Sequence, residues 1–176
     1  MTATRLFHRF ALGLATVLTV NIAHAQTEAP KEAKPSPAAT ATGKIGGTDV
    51  TVAYSSPAVK GRTIWGGLVP YGQVWRAGAN EATTVMFSKP VKVEGQALPA
   101  GKYGFFVIPT EKQWTVIFNK VPNQWGAFKY DEKQDALRVM VTPRKAASMA
   151  ERLAYEVTPK GLVLRWENLE VPVAVK

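Results

Sequence analysis

Between Tyr54 and Phe87 the chain gathers a high density of side chains that bind or react. The stretch YSSPAVKGRTIWGGLVPYGQVWRAGANEATTVMF sets Lys60, Arg62, Trp65, Tyr71, Trp75, Arg76, Asn80 and Glu81 among glycines at 61, 66, 67, 72 and 78. Glycine-rich loops of this kind present polar and aromatic groups to ligands. Arg76 is a forked donor able to grip a carboxylate or phosphate at two points. Glu81 is the candidate catalytic group, a general acid or base if burial raises its pKa. The same pair also reads as a structural ion pair that orders loop 72–82, with Asn80 bonding local backbone. Five residues apart across Gly78, Arg76 and Glu81 are expected to touch each other or one backbone loop, both largely buried.

Lys60 and Arg62 flank Gly61, as in a small anion clamp or a solvated turn. Trp65 and Trp75 in the glycine-rich stretch, and Trp125 in the loop-like segment PNQWGA at 122–127, can stack on a sugar ring or pack internally. Trp114 and Trp166 alternate with their neighbours in strand-like runs and read as core. Asp131, Glu132 and Asp135 form an acidic cluster without calcium-loop spacing or its glycine, so no metal site is assigned.

Four motifs in order carry a resemblance. They are Ser-x-Pro-x-x-Lys-Gly-Arg at 55–62, Leu-Val-Pro-Tyr-Gly-x-Val-Trp-Arg-x-Gly-Ala-Asn-Glu-Ala-Thr at 68–83, Leu-Pro-Ala-Gly-x-Tyr at 98–103 and Trp-Thr-Val-Ile-Phe-Asn at 114–119. Together they resemble a bacterial exported family known as domain of unknown function 2911, over most of 45–176. Lys60, Gly61, Arg62, Trp75, Arg76, Gly78, Asn80, Glu81 and Thr83 match its pattern. The resemblance implies an exported, β-rich domain and assigns no chemistry to any of these residues.

Composition narrows the chemistry further. The 176 residues include 22 Lys+Arg, 13 Asp+Glu, two His and no Cys. Residues 1–25 read as a secretory signal peptide. Arg5, His8 and Arg9 form a positive n-region, 10–20 an apolar run too short to span a membrane, and Ala23-His24-Ala25 a cleavage site. Cleavage after Ala25 places the protein in the periplasm or the medium, with no transmembrane segment left. It removes both histidines, two arginines and no acid, so 151 residues with a charge of +7 remain. A chain with neither His nor Cys has no Ser-His-Asp triad, no thiolate and no His- or Cys-held metal. No cofactor is expected. The positive charge suits anionic envelope polymers. Nucleic acid is not expected, because no basic run or nucleic-acid motif appears.

These side chains must be positioned by strands. Residues 26–44 lack Val, Ile, Leu and aromatics, and read as a disordered Ala/Pro-rich tether whose deletion should leave stability unchanged. Residues 45–176 then form a single domain holding all five Trp. Period-2 alternation recurs at 50–55, 83–88, 114–119, 137–142 and 162–167. Turn signals separate the runs at Glu94-Gly95, Leu98-Pro-Ala-Gly101 and Thr158-Pro-Lys-Gly161. The pattern predicts an all-β fold, an antiparallel β-sandwich of about nine short strands. At most one short helix is expected, at 145–154 (KAASMAERLA).

The function favoured by these residues is non-catalytic binding of a glycan or an anionic small molecule in the cell envelope. Two alternatives stay open. One is a carboxylate-dependent hydrolase using Glu81; the other is a structural or assembly protein that docks on an envelope protein. The sequence sets no oligomeric state.

Overall fold

The structure is a computed structural model and describes residues 35–176. The signal peptide expected at 1–25, and the first part of the expected tether, lie outside the described residues. Ten strands follow in order: β1 (Ala38–Ile45), β2 (Thr48–Ser55), β3 (Thr84–Phe87), β4 (Val91–Val93), β5 (Gln96–Leu98), β6 (Gly101–Ile108), β7 (Trp114–Asn119), β8 (Asp135–Val141), β9 (Arg144–Thr158) and β10 (Gly161–Ala174). Six of them form an antiparallel sheet in the order β1-β2-β3-β6-β7-β8. The long β9–β10 hairpin packs over one face of this sheet, and β4–β5 forms a short second hairpin. The fold is an all-β sandwich.

Alternation explains the layers. Val50 and Val52, Val85 and Phe87, Phe105 and Val107, and Trp114, Val116 and Phe118 turn inward from successive strands. They meet Leu153 and Tyr155 of β9 and Leu162, Leu164, Trp166, Val171 and Val173 of β10. Burying each such side chain contributes roughly 1.5–3 kcal/mol. Trp114 and Trp166 are core residues, as their strand setting implies. The Glu94-Gly95 turn joins β4 to β5 with Val93 opposite Gln96 and both turn residues at positive φ, the geometry a two-residue hairpin requires. Pro159 and Lys160 close the β9–β10 hairpin, also in two residues but without positive φ, with the Lys160 N–H donating to Thr158 Oγ1 (3.2 Å).

Two expectations are corrected. Residues 38–44 are not tether: they form most of β1, paired along its whole length with β2 from Ala38–Ser55 to Ile45–Thr48. Their small side chains have a packing reason. The positions of β1 opposite Tyr54, Val52 and Val50 are Ala39, Ala41 and Gly43. A Cβ on Gly43 would stand 2.8 Å from Val157 Cγ1 of β9, so a larger residue has no room. Segment 145–154 is not a helix but the first part of β9. Pairing with β10 and with segment 57–59 overrides its helical propensity: the Val59 N–H donates to Glu151 O (2.7 Å), and the Leu153 N–H to Pro57 O (2.9 Å). Register shifts opposite Arg165–Leu169 bulge this half of β9 outward, which erases the period-2 signal.

Candidate functional site

The glycine-rich motif first has to hold its own backbone. Trp75 pairs with Val107 of β6 in both directions, at 2.8 and 2.9 Å, which fixes the entry to the loop. The chain then reverses through Ala77 and Asn80, both in the left-handed region at φ 53° and 56°. Each such residue costs about 1–3 kcal/mol, and persists only where its surroundings determine it. They do so here. The buried Ala77 carbonyl accepts from Thr83 Oγ1 (2.9 Å) and from Tyr155 Oη (2.8 Å), reaching across from β9. The Trp75 indole donates to Gly78 O (3.1 Å), the Ala79 N–H to Ser55 O (3.2 Å), and Asn80 Nδ2 to Ser36 O (3.2 Å). A Cβ on Gly78 would lie 2.8 Å from Thr83 Oγ1 and 3.1 Å from Ser55 O. Burial raises the Tyr155 hydroxyl well above the usual tyrosine pKa, so it stays a proton donor. Most of the Trp75–Thr83 motif therefore serves folding.

Segment 120–130 lies against this reversal on the outer face of the sheet. Gln124 O accepts from the Ala82 N–H (2.9 Å), and the Gly126 N–H donates to Asn80 O (3.1 Å). Beneath it sits a second small core of Ala82, Phe106 and Ile117, with Ala127 and Tyr130 packed on it. A polar network anchors its base. Buried Asn119 donates to Asp135 Oδ1 (2.8 Å) and Asp131 O (3.0 Å), while Tyr130 Oη (2.6 Å) and Arg138 Nε (2.6 Å) donate to Asp135 Oδ2. Burial first, and the Asp135 carboxylate second, push the Tyr130 hydroxyl up to about 12. The acidic cluster is thus engaged within the fold: Asp135 in this network, Asp131 as the cap of the short turn 132–134.

Above β1, β2 and β3 a groove of about 490 Å³ opens. Its floor is Thr40, Ala53, Ser55 and Thr84; Lys102 borders it; Glu81 and Pro122–Trp125 form its wall. Trp125 is 60% exposed, and Glu81 pairs with it through an isolated backbone bridge. On the other side of Trp125 is a cleft of about 290 Å³, lined by Val121, Phe128 and Lys129 among others. Trp125 therefore stands between two concavities.

The candidates read from sequence separate accordingly. Glu81 and Trp125 come together at the groove. Trp65 and Trp75 do not: they join Trp114 and Trp166 in a cluster of four indoles with ring centroids 4.7–5.8 Å apart. Stacking and edge-to-face contact of this kind adds to burial; Trp75 is buried by it, and Trp65 is partly buried against the core. Lys60 is exposed, with φ 49°, and its N–H donates to Glu151 Oε1 (2.9 Å). Arg62 folds back on its own loop, donating to the carbonyls of Ala58 (2.5 Å) and Val59 (3.0 Å). Lys60 and Arg62 are thus held by separate local contacts. Asn80 is spent on the Ser36 carbonyl.

The expected Arg76–Glu81 contact is also corrected. Arg76 is half-buried against Gly126, whereas Glu81 is exposed in the groove, and among the described residues no ion pair involves either. Loss of hydration lowers the Arg76 pKa. Sequence reasoning missed Lys102, Thr84 and Phe128. Phe128 carried a signal, an aromatic between Trp125 and Tyr130 beside Lys129; Lys102 and Thr84 carried none, since only strand pairing brings them to the groove.

No curated protein and no solved structure matches the chain. Residues 36–175 match the family described as "Protein of unknown function (DUF2911)". That span begins just before β1, ends one residue after β10 and takes in the loop reversal, the groove and Trp125. The chain belongs to the DUF2911 family.

Proposed function

We propose that this domain binds a glycan in the groove between the outer sheet face and segment 122–125. The single observation behind this reading is Trp125, a large aromatic left mostly in water at the wall of a groove that also holds a carboxylate. Exposed indoles of this sort form flat apolar surfaces for the faces of sugar rings. Glu81 and Asn123 accept and donate hydrogen bonds to ring hydroxyls, and the Thr and Ser side chains of the floor complete a polar surface around the stack. Among the described residues lining the groove, Glu81 is the one carboxylate. Glycoside hydrolysis usually uses two, which favours binding over cleavage. The setting we propose is the cell envelope, reached by cleavage after Ala25.

The test is a glycan screen of the mature chain, read by the Trp125 indole N–H resonance. Saturable movement of that resonance, together with a calorimetric binding signal that Trp125→Ala abolishes, supports the reading. Binding that persists at full strength in Trp125→Ala places the ligand elsewhere and refutes it.

A further inference from the structure

Arg76 differs from every other described arginine. Arg62 and Arg152 donate to backbone carbonyls, and Arg138, Arg144 and Arg165 pair with carboxylates. The Arg76 guanidinium makes no hydrogen bond and no ion pair among the described residues, although its Nε is shielded from solvent. A guanidinium partly withdrawn from water with no acceptor in the fold is open to one supplied from outside it.

Its surroundings indicate what that is. Arg76 Nη1 and the Phe128 ring both lie within 4 Å of the point where a Cβ on Gly126 would stand. Gly126 holds φ 66°, and a side chain there would strike Phe128 at 2.9 Å, so the glycine keeps this space open. Phe128 is 86% exposed and lines the second cleft with Trp125, Val121 and Lys129; no carboxylate lines it. Trp125 thus has the Glu81 groove on one side, and on the other a cleft lined by Phe128 and Lys129, with Arg76 Nη1 and the Phe128 ring flanking Gly126.

We propose that the ligand is an acidic glycan chain long enough to reach both sides of Trp125. A neutral unit occupies the Glu81 groove, and an anionic substituent, carboxylate or phosphate, is held by Arg76 and Lys129 beside Phe128. The proposal rests on the glycan reading above and adds the charge of the ligand and its direction across the site. An arginine fork suits either anion, because both offer two oxygens at matching spacing.

The experiment uses the mature chain and three probes: a hyaluronan hexamer, in which neutral and uronic acid units alternate, its full methyl ester, and maltohexaose 6-phosphate. Binding is followed by the Arg76 Nε–H and Trp125 Nε1–H resonances. At least one acid probe is expected to bind about 10-fold or more tightly than the ester, a difference of about 1.4 kcal/mol. The Arg76 resonance should move with it, and the stronger acid probe identifies carboxylate or phosphate. Arg76→Gln, which breaks no hydrogen bond of the fold, and Lys129→Ala at the surface should each cut the acid-over-ester ratio at least fivefold. Equal binding of acid and ester, with only Trp125 moving, overturns the anionic proposal and leaves the glycan reading standing. Acid binding that survives Trp125→Ala overturns the glycan reading and leaves an isolated anion site. An Arg76 resonance unmoved by all three probes overturns the proposal outright.

Discussion

The Ala77 carbonyl offers a quantitative test of how the reversal is held. It is buried, belongs to a left-handed residue, and accepts two hydroxyl donors, Thr83 Oγ1 at 2.9 Å and Tyr155 Oη at 2.8 Å. Thr83→Val and Tyr155→Phe each remove one donor and leave the other. A single neutral hydrogen bond contributes about 0.5–1.5 kcal/mol, so each variant should lose about 1 kcal/mol. The double variant is different in kind. It leaves a buried carbonyl with no partner, a state that costs a further 1–3 kcal/mol or so. The total should therefore be about 3–5 kcal/mol, worse than the sum of the singles by at least about 1 kcal/mol. The assay is the denaturant midpoint and slope of wild type, both singles and the double, at one temperature and pH. Additivity within about 0.5 kcal/mol would refute the shared-acceptor argument, since unconnected sites add to that precision.

Other consequences follow from the same packing. A chain that starts at Ile45 lacks nearly all of β1, and should be less stable by on the order of 3 kcal/mol or more than one that starts at Pro35; equal denaturant midpoints would return 38–44 to the status of a tether. Gly43→Val should cost roughly 1–3 kcal/mol in thermal or chemical unfolding, because its Cβ would meet Val157 at 2.8 Å; no change would show that β9 yields at that point. The pH dependence has a definite sign at high pH. Tyr130 and Tyr155 have raised pKa values in the fold, so their contribution is complete below about pH 10. It is lost as the pH climbs toward about 12 for Tyr130, and the alkaline slope should shrink in Tyr155→Phe. Asp49 and Glu170 have lowered values, through Lys44 and Arg165 first, so their contribution is present above about pH 4 and falls away only in more acid solution. Between pH 5 and 8 no described side chain is a histidine, and unfolding free energy should stay nearly level; a step there would reveal an unrecognised titrating group.

What the sequence could convey depended on the range of the interaction. Strands facing water on one side and core on the other declare themselves by alternation, and 50–55, 114–119 and 162–167 were legible for that reason. β1 was not, because its inward positions are Ala39, Ala41 and Gly43, chosen for the closeness of β9 rather than for apolar area. The first half of β9 was misread because its bulges remove the period and its alanines suit a helix. At the site, the motif around Arg76–Thr83 stood out, yet its glycine and left-handed residues serve a backbone reversal that no local pattern specifies. Trp65 and Trp75 looked available because glycines surround them, but the indoles they pack against, Trp114 and Trp166, are distant in sequence. Trp125 was the most exposed tryptophan, and its loop setting was the clue.

The claim that this fold presents a ligand site at Trp125 is tested most directly by titrating the mature chain with glycan oligomers while recording the indole N–H spectrum. The account predicts that the Trp125 resonance alone among the tryptophans moves and saturates, with the four clustered indoles still, and that Glu81→Gln weakens the affinity several-fold without changing the thermal midpoint. Saturable binding that shifts one of the clustered indoles and leaves Trp125 unmoved would contradict it.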